Sequence, residues 1–329
     1  MAAAPALLQP AKQEPLGPAL LRDVEIADVR IREGRFQTWL SLITGLSAAL
    51  SGLEVAYEHW RGSYSRRVMY TPVISSAILT ACGLLGFRNR WVARHPLRLV
   101  SAISLANSGI GFYYHVRGVA RKPGGWRLPL TNIIMGPPIF APLLFGMAAY
   151  LGLVASFLRD AADPPAIALP KAGHSGHLLS GPLGHESIAW RQDLREGRFQ
   201  KHFAAATLIA AFFSGFEAWY SHYKNNFRYW VQWTPIAISP ALMLASGAAI
   251  ANKRAAHTAL PAVSALAMLD GGVGFYYHAR GVLKRPGGMK KPVYNIIYGP
   301  PIFAPLLFAA SGFLGLVASL LRRESRKRS

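Results

Sequence analysis

NIIMGPPIFAPLLF at residues 132–145 and NIIYGPPIFAPLLF at residues 295–308 agree at 13 of 14 positions. Outward from that pair the same offset, the one that carries 132 to 295, continues to hold. FYYHVRGVARKPGG (112–125) returns as FYYHARGVLKRPGG (275–288), identical at 10 of 14 positions, and REGRFQ stands at 32–37 and again at 195–200. Self-similarity sustained at one offset marks duplication and fusion of an ancestral unit.

Each copy carries four apolar stretches. In the first they fall near 36–57, 68–87, 97–115 and 132–158, and in the second near 199–220, 230–250, 260–278 and 295–321. Eighteen or more apolar residues in helical conformation cross about 30 Å of hydrocarbon. The chain is 52% hydrophobic and 16% charged with a mean hydropathy of +0.22, whereas soluble domains carry about 25% charged residues. The expectation is an all-α integral membrane protein of eight transmembrane helices, arranged as two tandem parallel four-helix repeats. An even number of spans inserts both copies the same way up, so a pseudo-two-fold axis runs along the membrane normal. The expected organisation is an N-terminal cytoplasmic segment (1–35), a first repeat (36–159), a linker (160–194), a second repeat (195–322) and a basic tail (323–329).

The net charge of +21 does not point to nucleic acid, because Lys and Arg gather beside apolar stretches rather than along one basic stripe. Counted by face, 22 of these cations accompany the termini and linker and 14 the opposite loops, which places the termini in the cytoplasm of a cell (inner) membrane. Residues 1–35 lack the charge, core and cleavage pattern of a signal peptide, so the first span itself directs insertion. Cys82 is the only cysteine, which excludes a disulfide framework and a Cys-based metal site. His174, His177 and His185 lie in a Gly/Pro-rich linker that offers no rigid ligand set. No Walker loop, HExxH, Gly-x-Ser-x-Gly or CxxC occurs, and the expectation is a non-catalytic subunit.

The polar residues common to both copies fall at the non-cytoplasmic helix ends. GLEVAYEH and GFEAWYSH supply Glu54 with His59 and Glu217 with His222, and GFYYH supplies His115 and His278 with Arg117 and Arg280 two residues later. Asn132 and Asn295 then open helices whose first turns contain Gly-Pro-Pro, so each copy is expected to turn a helix N-terminus toward its own His and Arg. Four readings fit these residues: a quinone or haem b site, a metal site of Glu with two His, an anion gate, or an interfacial network of His, Tyr and Arg. Asp270 lies mid-span with Asn107 at the equivalent position, and an intramembrane acid is costly enough to mark a functional or helix-locking contact. The two are expected to face each other between the halves. Two four-helix bundles in one chain resemble, in architecture, the membrane subunits that pass electrons between quinone and a peripheral iron–sulfur partner. That resemblance implies a lipid-embedded subunit with further protein partners; the alternatives are a small-solute or ion transporter with two pseudo-symmetric halves and a structural membrane scaffold.

Overall fold

Runs of Leu, Ala, Ile and Phe broken only by Gly, Ser and Pro satisfy their backbone groups internally as helices, the conformation an apolar environment demands. In the computed structural model, which describes residues 16–165 and 190–324, the regular structure is helical and no strand occurs among the described residues. The linker histidines His174, His177 and His185, residues 1–15 and residues 325–329 lie outside the described residues.

The first half contains α1 (Leu16–Arg32), α2 (Gln37–Arg61), α3 (Thr71–Gly86), α4 (Arg90–Arg94), α5 (Pro96–Ala120), α6 (Pro129–Ile134) and α7 (Ala141–Ala155). The second contains α8 (Gln200–Lys224), α9 (Thr234–Ala251), α10 (Lys253–His257), α11 (Ala259–Leu283), α12 (Pro292–Ile297) and α13 (Ala304–Leu320). The starts of α2, α3, α5, α6 and α7 return at the repeat offset as the starts of α8, α9, α11, α12 and α13. Among the described residues five helical stretches are long and apolar enough to cross a membrane: Gln37–Arg61, Arg67–Gly86, Gln200–Lys224, Trp230–Ala251 and Lys253–Leu283. Their outer faces carry bare aliphatic side chains such as Leu244 (76% exposed) and Leu269 (68%), which suits lipid and not water.

The remaining expected spans depart from that pattern for identifiable reasons. In α5, Ser101, Ser104, Asn107 and Ser108 together with Arg98 and Arg117 lower the hydropathy of a 25-residue helix. The stretches read as single helices over 132–158 and 295–321 are each broken in two. Pro137 and Pro138, like Pro300 and Pro301, supply no N–H and clash with a preceding turn, so the short α6 and α12 end before them and α7 and α13 start anew at Ala141 and Ala304.

The REGRFQ segments join the two halves. Gly34 and Gly197 sit at φ +68° and +70°, a left-handed turn that glycine adopts without strain. A Cβ on Gly34 would lie 2.6 Å from the Leu194 carbonyl and 2.8 Å from the Gly197 nitrogen, so the backbones meet with no room for a side chain. Arg159, only 2% exposed, donates from Nε to the Arg195 carbonyl (2.6 Å), from Nη2 to the Glu33 carbonyl (2.5 Å) and from Nη1 to the Pro164 carbonyl. Arg322, its counterpart in the second copy, answers it by donating from Nε to the Arg32 carbonyl (2.7 Å) and from Nη2 to the Glu196 carbonyl. Within each half a backbone bond seats the arginine: Arg159 N–H to the Gly34 carbonyl and Arg322 N–H to the Gly197 carbonyl, both 2.9 Å. Phe36 and Phe199 stack beside this contact with their ring centroids 6.4 Å apart and planes 13° from parallel. Each arginine therefore ties its own half to the other.

Candidate functional site

The site residues owe their positions to two kinds of loop. After α2 the chain takes left-handed turns at Ser63 (φ 58°) and Tyr64 (φ 43°), and after α8 at Asn226 (φ 55°) and Phe227 (φ 44°). Such backbone is costly outside glycine and is held here by ring stacking. Tyr64 stacks on Tyr70 with centroids 4.3 Å apart, and Phe227 on Trp233 at 4.0 Å. The turned chain returns a carbonyl to the helix it left, so His59 Nδ1 meets the Met69 carbonyl at 2.7 Å and His222 Nδ1 meets that of Gln232 at 2.9 Å. The Gly-Pro-Pro break does the same for the other pair: His115 Nδ1 meets the Pro138 carbonyl at 2.5 Å and His278 Nδ1 the Pro301 carbonyl at 2.6 Å. A carbonyl only accepts, so in all four rings Nδ1 carries the proton and the neutral ring's lone pair lies on Nε2.

Asn132 and Asn295 are buried and engaged. Asn132 Nδ2 donates to the Pro123 (3.0 Å) and Gly125 (2.7 Å) carbonyls, and Asn295 Nδ2 to those of Pro286 (3.4 Å) and Gly288 (3.0 Å). They pin the RKPGG and KRPGG loops. The helix N-terminus expected to serve its own copy's His and Arg serves the other copy instead. Glu217 on α8 accepts from the Phe140 N–H at 3.1 Å and from that of Ala141, capping the start of α7. A carboxylate at that point satisfies donors that have no partner within the helix. Around it Phe140 packs against Phe212, Phe213 and Phe216, with centroids 5.3, 4.9 and 5.0 Å away.

The equivalent interface is built differently. Ala49, Leu50 and Leu53 stand where α8 has Phe212, Phe213 and Phe216. Glu54, the counterpart of Glu217, has no hydrogen bond or ion pair among the described residues and lines a cavity of about 900 Å³. That cavity lies between α2 and the second half, and Glu217, His222, Asp270, His278 and Arg280 also border it. Cations at its outer end are Arg61, Lys224 and Lys284, of which Arg61 and Lys224 reach the hydroxyls of Tyr57 (3.1 Å) and Tyr220 (2.8 Å). Leu144, Phe145 and Phe308 form part of the apolar wall. Among the expected site residues, His59, His115, Arg117, Asn132 and Asn295 do not border it.

Asp270 and Asn107 do not pair with each other. Asn107 bonds Thr71 (2.8 Å) and Ser75 (3.1 Å) on α3, and Asp270 shares a side-chain hydrogen bond with Thr234 on α9. Each polar group finds a hydroxyl in its own half, because the Gly- and Ser-rich faces of α5 and α11 pack against α3 and α7, and against α9 and α13, respectively. No group of three or more His, Cys, Asp or Glu among the described residues is placed to hold a metal ion, so the reading of Glu with two His as a metal site does not fit. Glu217 is turned away from its histidines to the α7 cap. The chain matches no protein-family model, no curated protein and no solved structure.

Proposed function

We propose that this chain is a lipid-embedded subunit of a redox assembly and that a membrane quinone occupies the cavity between its halves. The observation that carries the reading is the composition of that cavity: two carboxyl groups from different halves, Glu54 and Glu217, face an apolar space rimmed by Arg61 and Arg280. Apolar pockets with a few convergent polar groups suit ligands of this kind. Reduction of a quinone to its quinol takes up two electrons and two protons. Here the electrons come from a partner protein, the protons pass through the carboxyl groups, and Arg280 holds a carbonyl oxygen. The eight-span topology with cytoplasmic termini belongs to the same proposal. The recurrence of helix starts at one offset and the reciprocal Arg159 and Arg322 contacts support two like-oriented halves.

The test is quinone bound per chain. Protein purified in mild detergent and extracted with solvent is expected to yield about one lipid quinone per chain. A water-soluble short-chain quinone is expected to bind the stripped protein and to bind Glu54→Leu and Arg280→Ala at least tenfold more weakly. Binding that is absent, or unaffected by either change, refutes the reading. Asp270 in the same cavity supports a second reading, cation- or proton-coupled transport. Solute uptake by sealed proteoliposomes that is lost in Asp270→Asn favours that reading over the first.

A further inference from the structure

His222 on α8 and His278 on α11 come from helices that both pack on α9 and α13, and their rings meet in an edge contact with centroids 6.4 Å apart and planes at 73°. Each Nδ1 is engaged by a backbone carbonyl, that of Gln232 for His222 and that of Pro301 for His278. This leaves both Nε2 atoms without a partner among the described residues and fixes both rings against rotation. Metal–imidazole bonds of about 2.0 Å on opposite sides of one ion put two ring centroids about 6 Å apart. The observed separation is the one a coaxial pair requires. An isolated metal ion would want three or four protein ligands, which the described residues around the pair do not supply. A tetrapyrrole brings four nitrogens of its own and needs only two axial histidines.

We infer that His222 and His278 are the axial ligands of a single haem b lying in the outer part of the cavity. This rests on the redox reading above and gives it a second carrier beside the quinone. The space of about 900 Å³ bordered by both rings is at the upper end of ordinary cofactor pockets. Lys284 borders the same space and makes no side-chain bond among the described residues, so a cation other than Arg280 is at hand for the haem propionates. The site is confined to one half. His59 and His115 keep the same Nδ1 bonds but do not border this cavity, and His59 instead makes its ring contact with Tyr64.

The experiment is a haemin titration of the purified full chain, read by visible absorption and low-temperature electron paramagnetic resonance. The expected result is saturation at one haemin per chain with a six-coordinate, low-spin ferric signal. His222→Gly and His278→Gly should each lose the low-spin signal and regain it on addition of imidazole, which separates ligation from misfolding. His59→Ala and His115→Ala should titrate like the parent. A high-spin signal only, a low-spin signal that survives in both glycine variants, or one lost equally in His59→Ala overturns the inference. The short-chain quinone titration on the same preparations separates the two proposals. Quinone binding without haemin ligation removes the haem and leaves the quinone site, and haemin ligation without quinone binding does the reverse.

Discussion

Replacing Arg159 with methionine tests how the two halves are held. Arg159 is 2% exposed and its guanidinium donates to three carbonyls, those of Arg195, Glu33 and Pro164, which come from both halves and the segment after α7. Hydrogen bonds to a charged group contribute about 1.5–3 kcal/mol each, so three set a ceiling of roughly 4.5–9 kcal/mol. Two effects reduce it. Methionine keeps most of the aliphatic stem in its packing, and carbonyls at a helix end near the water boundary recover some hydration. The expected loss is about 2–4 kcal/mol. Arg322→Met, with two such bonds, should lose about 1–3 kcal/mol. Their acceptors are adjacent peptides, 32 with 33 and 195 with 196, so the double variant should lose less than the sum by at least about 0.5 kcal/mol. Arg117→Met, at a side chain with no bond to break among the described residues, serves as control and should stay within about 0.5 kcal/mol. Reversible unfolding in mixed micelles, followed by tryptophan fluorescence, measures all four. A loss below about 0.5 kcal/mol for Arg159→Met, the size expected of a surface substitution that breaks nothing, would refute the reciprocal clamp. Strict additivity of the pair would refute it too.

Three further outcomes follow from the same contacts. Phe140→Ala should destabilise by about 3–5 kcal/mol, as large core truncations do, while Phe303→Ala at the equivalent position lacks the ring cluster and should cost less than half as much in the same unfolding assay. Asp270→Asn should retain detergent stability because an amide still bonds Thr234, whereas Asp270→Leu should lose about 1 kcal/mol, the usual size of an intramembrane hydrogen bond. For Asp160, burial alone would raise the carboxyl pKa, but the Ala162 N–H, the Thr38 hydroxyl and Arg90 outweigh burial and hold it below the ordinary carboxylate value. Its contribution is therefore full above the unfolded pKa of about 3.9 and lost as pH falls through the lower folded value. Melting curves of parent and Asp160→Asn should differ at pH 6 and draw together as the pH falls below about 3.9, and a gap that widens on acidification would contradict the assignment.

The helical class and the paired Glu, His and Arg are legible in the sequence because they depend on local composition and on an offset that can be counted. The split of the last span in each half is also written in Pro137, Pro138, Pro300 and Pro301, but two adjacent prolines fit a helix start as well as a break. Only the His115 and His278 bonds to the carbonyls of Pro138 and Pro301 show which applies. Contacts between halves are not legible, since an offset states which residues correspond and not which meet. Equal depth therefore suggests a pair of Asn107 and Asp270, when each meets a threonine of its own half. Arg159 and Arg322 carry a signal that could single them out, because they stand at the same offset as REGRFQ. As cations beside an apolar stretch they read as orientation charges, and that pattern conceals a buried role. The asymmetry of the cavity is present as Phe212, Phe213 and Phe216 against Ala49, Leu50 and Leu53, differences that a search for likeness passes over.

The proposed function puts a lipid-soluble redox molecule between the two halves. A quinone bearing a photoreactive diazirine on its ring, irradiated with the full chain in lipid nanodiscs and followed by peptide mass spectrometry, tests it most directly. The expected result is labelling of the α2 peptide around Glu54 and the α8 peptide around Glu217, suppressed by excess unlabelled quinone. Label confined to lipid-facing residues such as Leu244 and Leu269, and indifferent to competitor, would contradict it.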